Sequence, residues 1–255
     1  MANTVYNNKV IEAKAKDLLT TAVNTRNLMA VDTELTQNPG MVKTINVYTY
    51  TGEAEELGIG EGNGTRGSVA YNGTDYTVKL VQQAFDYFDE DFMKDNNVVD
   101  MGVKGATQLM TNKMTADFFA EAAKAELKQV GTMSYDTIVD AIAKLNLENE
   151  GDLFVVLNPA DKALLRKDAD YVAARMGEVV YNGQVGTVAG IPVIVSKAAT
   201  EAYVMSKDAI KLFLKKDVEV EQDRDADKRK NSIYLRAAYI CALVDKTKIC
   251  KIAKA

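Results

Sequence analysis

The spacing of apolar positions changes period several times along the chain. Lys43 to Tyr50 (KTINVYTY) and Asp75 to Gln82 (DYTVKLVQ) alternate polar and apolar and are rich in Val, Tyr and Thr. That pattern predicts two strands of a long hairpin with a glycine-rich end. From Asp100 to Lys128, Val103, Ala106, Met110, Met114 and Phe118 recur at helical spacing, with Gly131 just beyond. A helix of that length is roughly 40 Å long. Its methionines read as core.

Residues 1–42 carry only a thin stripe, Ile11, Leu18 and Ala22, interleaved with Lys9, Lys14, Lys16 and Asp17 and broken by DTELTQNPGMV. They read as a partly helical peripheral arm. From Ser134 to Ser206, strands and helices alternate. Ser134 is placed to cap a helix that buries Ile138, Ile142 and Leu145. DLFVVL is a buried strand, followed by a helix capped by Asn158 with Pro159 first. EVVYNGQV reads as a hairpin turning at Asn182-Gly183, and GTVAGIPVIVS and EAYVMS as further strands. Beyond them come a strand from Asp217 to Glu221, a solvated loop charged in both signs from Glu219 to Lys230, and a final hairpin turning at Asp245-Lys246-Thr247. The class is α+β, with an α/β unit inserted between segments that pack together.

One motif points elsewhere. GNGTRG (Gly62 to Gly67) matches the glycine fingerprint of a dinucleotide-binding loop and raises the alternative of a soluble nucleotide-binding enzyme. That chemistry needs a buried strand before the glycines and a helix opening after them. Here an acidic stretch precedes them and a strand-like, Asn72-Gly73-containing stretch follows. Glu55, Glu56 and Glu61 would repel a phosphate. The favoured reading is a glycine-rich loop between two strands.

Composition narrows the function further. The chain has 255 residues, 47% hydrophobic and 26% charged, with a net charge of −5, as in ordinary globular proteins and unlike dedicated nucleic-acid binders. No apolar run approaches the ~18 residues of a membrane span. The absence of histidine removes the commonest general base and metal ligand. Cys241 and Cys250 match no zinc spacing and read as reduced, half-buried small residues near each other across the final turn. No catalytic, cofactor or metal residues are expected. Two sequons, at Asn63 and Asn72, read as loop sequence without a signal peptide.

In order, NPADKALLRKD, VGTVAGIPVIVS, EAYVMSKDAIKLFLKKDVEVEQDRD and RKNSIYLRAAYICALVDKTKICKI resemble the major capsid proteins of tailed double-stranded DNA bacteriophages, whose fold is named after phage Hong Kong 97. The resemblance is sequence-like from about Asn158 to Ile252. It covers nearly the whole chain in element order.

What the resemblance implies is a shell subunit that assembles with itself through pentamers and hexamers. Residues 1–42 would be the N-terminal arm, 43–88 an extended loop over a neighbouring copy, 89–133 and 207–255 a peripheral domain with a spine helix, and 134–206 an axial domain. The loop end, including Glu55, Glu56, Gly60, Gly62, Gly64, Arg66 and Gly67, would meet the neighbour, with Lys215, Lys216, Arg229 and Lys230 as candidate receiving cations. Asn231 stands where some members form a Lys–Asn crosslink, but Ala238 replaces the activating glutamate and Thr51 to Thr74 holds no lysine, so no crosslink is expected. The arm is too short for a cleaved scaffolding segment, which implies a separate scaffold or none. A portal, decoration proteins and packaged DNA, bound without sequence specificity, are the other implied partners. The same fold also occurs in cellular nanocompartment (encapsulin-like) shells, the runner-up reading ahead of the nucleotide-binding enzyme.

Overall fold

The computed structural model describes residues 11–13, 15, 25–174 and 186–254. The expected hairpin at Asn182-Gly183 lies outside them. The strands are β1 (Ala30–Asp32), β2 (Val42–Thr51), β3 (Ser68–Thr77), β4 (Lys79–Phe88), β5 (Leu127–Val130), β6 (Leu153–Leu157), β7 (Thr187–Val188), β8 (Ile191–Val195), β9 (Ala202–Ser206), β10 (Ile210–Asp225), β11 (Lys230–Leu243) and β12 (Ile249–Ala253). The helices are α1 (Glu34–Gln37), α2 (Asp89–Lys94), α3 (Val98–Ala122), α4 (Tyr135–Leu145), α5 (Pro159–Lys167) and α6 (Ala169–Ala174).

Three sheets result. One has the order β1-β10-β11-β4, one β5-β12-β9-β6-β8-β7, and one is the isolated pair β2-β3. The long helix α3 lies on the first sheet. Val103, Ala106, Met110, Met114 and Phe118 are all buried there against Ile233, Leu235, Ala237 and Tyr239 of β11, so its apolar stripe is core as expected. Gly102 allows the close approach of β4, because a side chain there would run into the ring of Phe85.

The helix is shorter than its periodicity predicts. It ends at Ala122, and Leu127–Val130 instead pairs in parallel with β12. The Lys251 ammonium donates to the Ala123 carbonyl at 3.0 Å, a positive charge at a helix C-terminus where exposed carbonyls favour it. Tertiary pairing has outweighed the helical preference of Ala123 to Lys128.

The charged stretch near the end also differs from expectation. It is strand through Asp225, and the solvated loop shrinks to a tight turn in which Asp225 accepts hydrogen bonds from the amides of Asp227 and Lys228. Both signs are paired across the sheet: Arg236 with Glu221 at 2.7 Å, Lys230 with Asp86 at 2.7 Å, and Arg224 with Asp89 at 2.9 Å. The long terminal hairpin is therefore β10–β11. The chain does not turn back at Asp245 to pair with β11, because β12 crosses to the second sheet between β5 and β9.

That second sheet buries Leu153, Val155 and Leu157 against α4 and α5 on one side and Phe154 and Val156 against the α3 core on the other. Ser134 and Asn158 cap α4 and α5 as predicted, accepting from the amides of Thr137 and Asp161. The expected α/β unit is thus completed by two strands, β5 and β12, from outside residues 134–206. The described part of the arm packs on the body: Ile11, Ala15 and Met29 are in the main core, and β1 pairs in parallel with β10.

A buried carboxylate ties the first sheet to α3. Asp117 accepts from Lys79 at 2.8 Å, from Lys113 at 3.3 Å and from the Tyr239 hydroxyl at 2.9 Å. Burial alone would raise its pKa, but the hydrogen bonds from Lys79 and Tyr239 and the Lys79 charge outweigh that and hold it below the ordinary aspartate range. Burial and the facing carboxylate push the Tyr239 phenol well up.

Asp117→Asn should cost about 2 kcal/mol at neutral pH, the order expected for charge-assisted hydrogen bonds at a buried site. The sign with pH is fixed: a depressed folded-state pKa gives stability that is present above the ordinary aspartate value and lost as pH falls through the folded one. Denaturant unfolding of parent and variant should therefore differ at pH 7 and converge at acid pH. A gap that stays constant below the aspartate range would refute this role.

Candidate functional site

The ribbon β2–β3 is the feature that the other described residues do not cover. Ten residue pairs run from Val42↔Thr77 at the root to Thr51↔Ser68 at the tip. Its second strand is Ser68–Thr77, seven residues earlier at its start than the alternation of Asp75 to Gln82 implies. Asn72 and Gly73 are not a turn but lie in mid-strand opposite Val47 and Asn46. The stretch after Val78 belongs to β4, an edge strand of the first sheet that pairs only with β11.

Among the described residues, only the root of the ribbon packs on the body. Ile45 and Val78 join Leu35, Phe213, Ala238, Ile240 and Ala242 in a small cluster, with Tyr76 against it. The Val78 amide donates to the Met41 carbonyl at 2.8 Å, closing the base of the hairpin. The approach to β2 is also fastened. Lys215 donates to the carbonyls of Leu35 and Asn38, and Thr36 to that of Leu214. Lys43 pairs with Glu34 at 2.7 Å.

Beyond the root, both strands are exposed. Side chains in a strand alternate between faces and cross-strand partners share one. Tyr48, Tyr50, Val69 and Tyr71 therefore form a single face. Tyr48 and Tyr71 are 67% and 71% exposed, with ring centroids 6.3 Å apart. Four large side chains in a contiguous exposed patch mark a contact surface. The sequence carried its signal, since VYTY places Tyr48 and Tyr50 two apart. Only the correct register adds Val69 and Tyr71.

At the tip, Glu55 accepts from the amides of Gly64 at 2.7 Å and Thr65 at 2.9 Å and from the Thr65 hydroxyl. The Thr65 hydroxyl and these amides lower its pKa. The amides that a dinucleotide pyrophosphate would need are thus occupied by the chain's own carboxylate, and β3, not a helix, follows the glycines. This overturns the nucleotide-binding alternative. Gly60 has φ +86° in a turn where Glu61 donates its amide to the Gly58 carbonyl. Gly67 admits the ring of Tyr50, which a side chain there would strike. Gly62, Gly64, Arg66 and Glu56 are exposed.

The four candidate receiving cations all have partners within the chain. Lys215 holds the carbonyls named above, Lys216 pairs with Glu219, Arg229 with Glu90 and Lys230 with Asp86. Asn231 donates to Asp89 at 2.8 Å, and Ala238 is buried in the root cluster, far along β11 from it. Cys241 and Cys250 are free and fully buried, in different core clusters, so they are not neighbours across a turn. Burial pushes both thiols up. Among the described residues, no group of three His, Cys, Asp or Glu side chains could hold a metal, and no helix is long and apolar enough to cross a membrane.

Comparison with known proteins agrees with this arrangement. A curated major capsid protein of Staphylococcus phage phiMR11 is 25% identical over 237 residues, covering 88% of this chain and 84% of that one. A solved structure from Mycobacterium phage Che8 superposes with a TM-score of 0.70 at 16% identity, covering 89% of each chain. A virus-like particle from Pyrococcus furiosus gives 0.68 at 11% identity over 98% of this chain and 100% of that one. These two structural likenesses show the fold. The family model described as phage capsid protein matches residues 71–252, most of the chain, and the protein therefore belongs to the phage capsid protein family.

Proposed function

We propose that this chain is the major capsid protein of a tailed double-stranded DNA phage, a structural and non-enzymatic subunit of the virion. It assembles with itself through pentamers and hexamers into a closed shell around the genome. The observation that carries the reading is the ribbon: a two-stranded sheet is marginal alone in water, yet this one exposes a tyrosine-rich face far from its own body. In a shell that face rests on a neighbouring copy. The arm, extended loop, peripheral domain and axial domain take the residue ranges given by the resemblance, except that β5 and β12 complete the axial sheet. A portal, a separate scaffolding or decoration protein, and DNA bound without base readout complete the particle. The phage reading stands ahead of a nanocompartment shell because the curated relative, matched along most of both sequences, is a phage major capsid protein.

Negative-stain microscopy of the purified chain is the direct test. Closed shells, or rings of five and six, are expected, and a monodisperse monomer at assembly concentrations would sink the proposal. Replacing Tyr48 and Tyr71 together by Asp should abolish particles. The monomer's stability should shift by no more than about 0.5 kcal/mol, as for exposed surface sites. Shells boiled in detergent should run as a single 27.9 kDa band, and a ladder of multimers would show covalent crosslinks after all.

A further inference from the structure

Three glycines of the chain follow an asparagine, in Asn63-Gly64, Asn72-Gly73 and Asn182-Gly183. The last pair lies outside the described residues. The other two stand in one ribbon under different restraint. Asn72-Gly73 is in mid-ladder, opposite Val47 and Asn46. Asn63-Gly64 is exposed at the tip, outside any strand or helix, and the Gly64 amide is held by one side chain, Glu55. We infer that Asn63-Gly64 is a site of hydrolytic modification, the deamidation of Asn63, and that Glu55 sets its pace by holding the Gly64 amide.

The reaction consumes only water. The Gly64 backbone nitrogen gives up its proton and attacks the side-chain carbonyl carbon of Asn63. The new C–N bond closes a five-membered imide. The Asn63 side-chain nitrogen leaves as ammonia, carrying the proton that Gly64 gave up. Water then opens one or the other imide carbonyl and leaves aspartate or isoaspartate at position 63. Glycine is the most permissive residue to follow the asparagine, because no side chain crowds the ring. The backbone must also turn until the nitrogen meets that carbon. A strand paired in a ladder resists the turn, which sets Asn72 apart.

At the tip the resistance comes from Glu55. One carboxylate oxygen accepts from the Gly64 amide at 2.7 Å, the other from the Thr65 amide at 2.9 Å and from the Thr65 hydroxyl. A negative charge against the Gly64 N–H makes its proton harder to lose. The second oxygen fixes the next peptide, so the nitrogen swings onto Asn63 only when the pair of bonds breaks. Glu55 is also a poor base for that proton, since the Thr65 hydroxyl and the two amides hold its pKa below the ordinary glutamate value. The product undoes the clamp. Isoaspartate adds one carbon to the backbone before Gly64, which moves Gly64 and Thr65 out of step with the two oxygens of one carboxylate. Either product adds a negative charge to a tip that already holds Glu53, Glu55, Glu56 and Glu61. One covalent event therefore loosens the tip and makes it more acidic.

The test is warm incubation of the full-length chain in mildly alkaline buffer. Arg66 is the only basic residue between Lys43 and Lys79, so trypsin delivers the two asparagines on separate peptides, 44–66 and 67–79. Mass spectrometry follows the conversion of each, and an isoaspartyl methyltransferase marks the isoaspartate. In the parent, Asn63 should convert faster than Asn72. Glu55→Ala should speed Asn63 about fivefold or more, the order of one lost hydrogen bond. Glu55→Gln, which keeps an acceptor without the charge, should speed it less. Asn72 should not change, which shows the ribbon intact. Gly64→Ala places a methyl at an ordinary 3.7 Å from both Glu55 oxygens, and added to Glu55→Ala it should cancel the gain. Unchanged or slower conversion of Asn63 in Glu55→Ala would overturn the assignment, as would conversion of Asn72 ahead of Asn63 in the parent. If Asn72 accelerates along with Asn63 in the variants, the parent decides. Its Asn63 should convert about fivefold slower folded than unfolded in urea, and equal rates refute the clamp.

Discussion

A sheet of two strands has two faces and no layer of its own to cover either. This deficit governs the molecule. β2 and β3 pair with each other along ten residue pairs, which satisfies only the backbone groups that face each other, and no other described residue buries Tyr48, Tyr50, Val69 and Tyr71. Several interactions of the body hold the ribbon's base. Val78 and Ile45 sit in an apolar cluster, Lys215 grips the carbonyls before β2, and Lys79, the first residue of β4, is held by the buried Asp117. A projecting ribbon of fixed direction follows from these contacts. A fixed direction matters because a contact made some 33 Å from its support magnifies any error of angle at the root.

Asp117 joins three elements. Its partners come from β4, from α3 itself and from β11, so one carboxylate reports on whether helix, sheet and ribbon root are in register. It stays charged although buried, because three donors outweigh desolvation. Elsewhere the first sheet solves its charge differently. On the β10–β11 tongue Glu219 lies opposite Arg236 and Asp225 opposite Lys230, which lets the strands run beyond the apolar core.

Much of this was readable from the chain. The α3 stripe, both helix caps, the buried strand Leu153–Leu157 and the ribbon's first strand follow from periodicity and capping chemistry. The misreadings share one cause: local pattern was overridden by a distant partner. Ala123 to Lys128 looks helical until β12 arrives to pair with β5. Asp75 to Gln82 alternates without a break, yet Val78 is where the chain leaves one sheet for another. Asn72-Gly73 has turn chemistry but lies in a ladder whose register is set at Thr51↔Ser68. Glu55 illustrates the opposite case. Its neighbours made it look like a mere repulsive charge, and only the fold shows it to be the acceptor that organises Gly64 and Thr65.

The place of β12 has a consequence for the order of events in synthesis. This strand, made after every other strand of the fold, lies between β5 and β9 rather than at an edge. Until residues 249–253 emerge, β5 has no neighbour in its sheet, and Cys250 and Ile252 are missing from the core beneath α4. A nascent chain that lacks this strand thus has an open sheet at its centre. A copy whose second sheet is still open is a poor partner for another, so assembly waits until translation has delivered β12.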